Sequence, residues 1–169
     1  CGMSSARLSM RALATSQNFG LARYECTQPF YNMVKREDYE KDLEPVLLAN
    51  QVSCIPYSSL ASGFLSGKYK TGEAMPTTPR AGGVQQRYMN EAGYVVLAQV
   101  EALAKQVSAT PAQIALAWLM ARPSITAPIA SATSVAQIKE LMGALAVRLP
   151  GGVFICHSLP NVPRCGVPR

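Results

Sequence analysis

Residues Ser53 to Tyr69 read SCIPYSSLASGFLSGKY, and the interpretation of the whole chain turns on them. An apolar run from Val52 to Ile55 stops at Pro56; behind it come Tyr57, Ser58, Ser59, Ser62, Gly63, Ser66, Gly67 and Lys68. The run predicts a short buried strand, and the polar segment predicts its loop. In an α/β fold, ligands collect beyond the carboxyl ends of parallel strands, where loop N–H groups and hydroxyls can wrap a phosphate. Gly63 and Gly67 allow the backbone to come close, Lys68 adds charge, and Tyr57 offers a flat face to a ring. These features suit a dinucleotide. A serine-rich turn after a core strand, with Tyr57 packing, would draw on the same residues.

On either side of this loop, helix and strand signals alternate. Ser5 to Asn18 predicts a helix with Leu8, Ala12 and Leu13 on one face and Gly20 ending it. Leu21 to Cys26 is the next strand, with Gln28 at its carboxyl end. Glu37, Asp38 and Glu40 place acid at the positive end of a following helix, whose inward face is Leu43, Val46 and Leu47. From Ser66 to about Asn90 no period survives, and Pro76, Pro79, Gly82 and Gly83 mark a long loop. It carries Lys68, Lys70, Arg80 and Arg87, either as a basic flap over a phosphate-bearing ligand or as a solvated loop.

Val96, Val100, Leu103 and Val107 form a helical stripe. Thr110, Pro111 and Gln113 carry the cap, first-turn proline and capping-box partner of another helix, in which Ile114, Trp118 and Leu119 bury. Ile125 to Ala130 reads as the last strand despite Pro128, and Ser134 to Ala144 as the last helix. Such βαβα alternation implies parallel strands with crossover helices. No G-x-G-x-x-G occurs.

With 169 residues, 49% of them apolar and 15% charged, the chain can build an ordinary core. The net charge of +6 is dispersed, and Arg148, Arg164 and Arg169 supply half of the excess, so no nucleic-acid partner is expected. No apolar run reaches the roughly 20 residues of a membrane span, and no signal peptide is legible. The five cysteines lack C-x-x-C spacing. Cys26 and Cys54 read as buried thiols in a reducing, cytoplasmic setting, and no metal site is expected. After Leu149 the pattern dies in GGVFICHSLPNVPRCGVPR, a stretch that holds the only histidine, His157.

The string Tyr57 to Tyr69, YSSLASGFLSGKY, resembles the Y-S-P-L-A-x-G-x-L-T-G-K-Y signature of aldo/keto reductases. Thr27 to Asn32, TQPFYN, is similar to that family's Q-x-x-Y-N segment one strand earlier, and Pro128 to Gln137, PIASATSVAQ, to its last strand and adenosine-phosphate loop. The matches are in the family's order and cover about residues 5 to 147. The resemblance implies an α/β chain forming the C-terminal half of a (β/α)8 TIM barrel, about four parallel strands with crossover helices. Residues 1–149 would be the partial, cofactor-binding barrel and residues 150–169 an irregular tail.

It also implies site roles. Tyr57 would stack on the nicotinamide ring; Ser58, Leu60, Ser62 and Gly63 would meet the pyrophosphate; Gln28 would hydrogen-bond the carboxamide, since its amide both donates and accepts. Ala130, Ser131, Ser134 and Gln137 would hold the adenosine end, although Ser134 and Gln137 also spell a capping box. Leu141 stands where an adenine-reading asparagine is common, and no arginine matches the usual 2′-phosphate partner. NADP(H) is the expected cofactor, with NAD(H) open.

The family's proton-delivering tyrosine, lysine, aspartate and histidine find no match here, and none of Tyr24, Tyr31, Tyr57 or Lys68 takes their place. The serine-asparagine pair of the preceding strand is blurred at Cys1 to Ser5. The expectation is therefore NAD(P)H-dependent reduction of an aldehyde or ketone by an intact parent, with this fragment inactive alone and prone to self-association through open sheet edges. Alternatives are a nucleotide-sensing regulatory subunit, which potassium-channel beta subunits of the same family exemplify, and a non-functional remnant.

Overall fold

The structure, a computed structural model, describes residues 5–69 and 81–150. Helix α1 spans Ser5–Phe19 and ends at Gly20, whose φ of +62° suits a residue without a β-carbon. Its inward side is Ala6, Leu13 and Ser16, while the expected Leu8 faces solvent. The side chain of Ser16 donates to the Ala12 or Ala22 carbonyl, 3.0 Å from each, and so ties the helix to the chain that leaves it.

Strand β1 is Cys26–Thr27 and strand β2 Ser53–Cys54, paired parallel with Cys26 opposite Ser53. β1 begins later than the expected Leu21. Its partner explains the delay: the Val52 amide closes the preceding helix on Leu47 O, so the first donor free to pair is Ser53 N, to Glu25 O. The pairing continues past both strands, with Ile55 N donating to Thr27 O, Tyr57 N to Pro29 O, and a bridge between Phe30 and Tyr57. Ile125 adds a third parallel line beside Cys54. About four strands were expected; the described residues hold these three lines, and residues 1–4 lie outside them.

Between β1 and β2 a π-helical turn, Tyr39–Leu43, leads into α2, Glu44–Ala49. Pro45 explains the wide turn, because it has no N–H to give to the residue four back. Tyr39, Leu43 and Leu47 recur every four residues and are buried, and Val46 is half-buried beside them. Helix α3, Ala81–Tyr88, lies where the sequence predicts only loop. Gly82 and Gly83 read as breakers, yet Val84 and Tyr88 are one turn apart, both fully buried, and their docking outweighs the poor propensity.

Helices α4, Glu91–Gln106, and α5, Pro111–Met120, match the expected stripe and capping box, and Trp118 is in the core. Helix α6, Val135–Met142, is followed by a short 3-10 turn, Gly143–Ala146. The face of Val135, Ile138, Met142 and Leu145 is exposed. No helix among the described residues is long and apolar enough to cross a membrane.

The helix-covered side of the sheet holds a charged cluster that sequence reading missed. Arg36 and Arg122 lie over the Trp118 ring at 5.2 and 5.6 Å. Arg36 Nε bonds Glu40 at 2.8 Å, and Arg122 bonds both Glu44 oxygens at 3.1 and 3.3 Å. Ser124 donates to Glu44 at 2.6 Å and accepts from Tyr39 at 2.9 Å, while Tyr31 donates to Glu40 at 2.7 Å. These charges are thus paired and hydrogen-bonded, as burial requires.

Candidate functional site at the carboxyl ends of the strands

Strand alternation decides what the site presents. Cys26, Gln28 and Phe30 share one face of the sheet with Ser53, Ile55 and Tyr57, whereas Cys54 and Ile125 turn to the helices. Cys26 is exposed, against the expectation of a buried thiol, because its face of the sheet has no covering layer among the described residues. Gln28 is exposed too. Tyr57 is 48% exposed, its ring edge-on to Phe30 at 5.5 Å.

The loop that follows has unusual backbone. Ser58, Ala61 and Ser62 have φ of 60°, 50° and 57°, and Gly63 and Gly67 have 93° and 79°. Non-glycine residues rarely adopt such values, and they persist only where the surroundings fix them. Here Phe64 is the anchor: it is fully buried against Tyr69, Tyr88 and Tyr94. Gly67 lets Pro111, the first residue of α5, pack on the loop's end, since a β-carbon would lie 3.3 Å from its ring. Leu60 keeps a negative φ between Ser58 and the consecutive left-handed Ala61, Ser62 and Gly63, and the Ala61 and Gly63 amides donate to Ser58 O and Leu60 O at 2.8 and 2.9 Å, which holds the turn tight.

The serines divide. Ser59 is buried and donates to Pro56 O, and Ser66 donates to Gly63 O, so both serve the loop itself. Ser58, Leu60 and Ser62 are half-exposed. Above Gly63 the expected open approach is occupied: a β-carbon there would lie 3.0 Å from Lys68 Cε and Nζ. The lysine is exposed, folds back over the loop, and sits 5.4 Å from the Tyr69 ring centre. Its charge thereby lies over the loop at Gly63.

The third line arrives beside β2 with a bulge. Thr126 N donates to Cys54 O, but Pro128 has no N–H, and the next bond comes one residue late, from Ile129 N to Pro56 O. Ala130 and Ser131 then leave the sheet exposed. Ser134 caps α6 by accepting from Gln137 N at 3.2 Å. The second half of the expected box is redirected: Gln137 Oε1 accepts from Thr133 N at 2.8 Å and from Thr133 Oγ1 at 3.1 Å. The structure thus gathers Gln28, Tyr57 and the Ser58–Gly63 loop at the ends of adjacent strands, with Ala130 and Ser131 leaving the next one.

Asn32, the last residue of the TQPFYN segment, is wholly buried and bonded to this loop at Ser58 O. An asparagine at the end of a strand, two residues before a turn, is the signal that could have found it. Lys70, Arg80 and the rest of 70–80 lie outside the described residues, as do Cys1, Cys156, His157, Cys165 and the tail from 151. Among the described residues no three His, Cys, Asp or Glu side chains come together to hold a metal.

A family model described as "Aldo/keto reductase family" matches residues 6–154. The chain belongs to the aldo/keto reductase family. Over 127 residues it is 34% identical to a protein of Arabidopsis thaliana named "Probable voltage-gated potassium channel subunit beta", covering 71% of this chain and 38% of that one. With "Probable aldo-keto reductase 1" of Glycine max it shares 32% identity over 117 residues, 66% of this chain and 33% of the other. With "L-glyceraldehyde 3-phosphate reductase" of Escherichia coli (strain K12) it shares 31% over 125 residues, 70% and 36% respectively. The chain therefore spans about a third of the length of the curated relatives it matches. The family implies a TIM-barrel fold, and the α/β chain with its parallel strands agrees with that class.

Proposed function

We propose that residues 1–149 are the cofactor-holding half of an aldo/keto reductase barrel, and that they bind NADP(H), with NAD(H) as the competing nucleotide. The observation that carries this reading is the tightly turned loop at the carboxyl end of β2, left-handed at Ser58, Ala61, Ser62 and Gly63, beside a half-exposed Tyr57. Tyr57 stacks on the nicotinamide, Gln28 bonds its carboxamide, and Ser58, Leu60, Ser62 and Gly63 receive the diphosphate, with Lys68 adding charge. Ala130, Ser131, Ser134 and Gln137 take the adenosine end, where the start of α6 also favours a phosphate. When bound, the nucleotide supplies the hydride for reduction of an aldehyde or ketone.

The same reading makes the chain inactive alone. No residue here matches the family's proton donor, and the only histidine is His157. The sheet face that is uncovered among the described residues and the exposed stripe of α6 need a partner, and self-association is the expected behaviour of the isolated chain. Aldehyde-dependent loss of NADPH absorbance should stay at background for the chain by itself and rise when a separately made amino-terminal half of a family member is added. Turnover by the chain alone would overturn this part of the reading.

A second reading, a nucleotide-sensing regulatory subunit, draws support from the likeness to a protein named as a potassium channel subunit. It predicts the same nucleotide binding, with no turnover after an amino-terminal half of a family member is added.

A further inference from the structure

Asn32 is 0% exposed, and a buried amide is costly unless its groups are all bonded. Its Oδ1 accepts from Val34 N and Lys35 N, each at 3.0 Å, which closes the turn after β1. Its Nδ2 donates to Ser58 O at 3.2 Å and, more weakly, to Tyr88 Oη at 3.4 Å. One side chain thus joins the turn after β1, the first residue of the loop after β2, and the last residue of α3. Ser58 is also the first left-handed residue of that loop, and its carbonyl accepts a second bond from Ala61 N at 2.8 Å.

A left-handed serine needs an external hold, and the Asn32 amide is placed to give it. We infer that Asn32 is a positioning residue: through Ser58 O it sets the loop in the form that receives a diphosphate, without itself touching the nucleotide. The inference rests on the nucleotide reading of the loop. Aspartate at 32 keeps oxygen for Val34 and Lys35 but loses the Nδ2 donors and turns a carboxylate toward Ser58 O. Glycine at 58 takes positive φ unaided, so it removes the need for the hold.

The test is a double-mutant cycle on NADPH affinity by fluorescence titration, using the full chain with Asn32→Asp, Ser58→Gly and both. Asn32→Asp should weaken binding about tenfold or more with serine at 58, and threefold or less with glycine there. Equal losses in the two backgrounds overturn the inference. In the wild-type chain the Asn32 side-chain amide protons should exchange with solvent as slowly as the Ala61 N–H; fast exchange overturns it even if Asn32→Asp does not fold. If the wild type binds no NADPH, the nucleotide reading falls and the positioning role falls with it, whereas binding with equal losses removes the role alone.

Discussion

Tyr57 shows what a single residue can and cannot reveal in advance. Its place at the end of an alternating strand puts it on the face of Gln28, and both are open to solvent. Tyr57→Ala should weaken NADPH binding by about 1 kcal/mol, or roughly fivefold, the usual worth of an aromatic stack, as read by fluorescence titration. Unchanged affinity would remove the stacking role. Cys54 is the opposite case, buried behind the same strand. Burial pushes its thiol up from the ordinary 9.0 to about 11.

The folded state thus keeps a proton on Cys54 that the unfolded chain gives up. This contribution to stability is complete below pH 9, and falls by roughly 1–3 kcal/mol as pH rises toward 11. Tyr31 and Tyr39, raised by burial above their ordinary 10.0, extend the loss further into alkali. Urea titrations of a Cys54→Ala chain should therefore be flat from pH 9 to about 10, where the parent already declines. A parent curve flat over the same interval would contradict the buried thiol. Asn32 leaves a local signal only in its turn with Val34 and Lys35; its bond to Ser58, 26 residues away, and the folded-back Lys68 are not legible in the sequence.

At the scale of elements, periodicity read the helices well wherever their faces were plain. The stripe of α4 and the Thr110–Gln113 box of α5 appear as expected, since both are set by residues within a turn or two of each other. α3 is not legible because Gly82 and Gly83 mark a loop by propensity, while in the molecule Val84 and Tyr88 are buried and Tyr88 stacks on Phe64. The start of β1 was misplaced for a similar reason: only the partner strand decides where pairing begins.

The charged cluster shows in the sequence only as the local Arg36 and Glu40 pair, four residues apart, whereas Glu44 and Arg122 are 78 residues apart. It fastens α2 to the chain leaving α5. Arg122→Met should destabilise the fold by about 3–5 kcal/mol in urea titrations, because it strands the Glu44 carboxylate where both side chains are about nine-tenths buried. Loss of less than about 1 kcal/mol would show that Glu44 regains water.

For the whole molecule, three ordered motifs were enough to identify the family, and the matching family model spans nearly all the described chain. The sheet face that is uncovered among the described residues and the exposed side of α6 are not legible in residue patterns, since apolar residues there look like any core position. The central claim is that the loop after β2 is shaped for a nicotinamide nucleotide. Titration of the chain into NADPH tests it most directly. Saturable enhancement of NADPH fluorescence with micromolar affinity, weakened by Tyr57→Ala, is the expected result; a folded chain that leaves the fluorescence unchanged up to millimolar concentrations would contradict it.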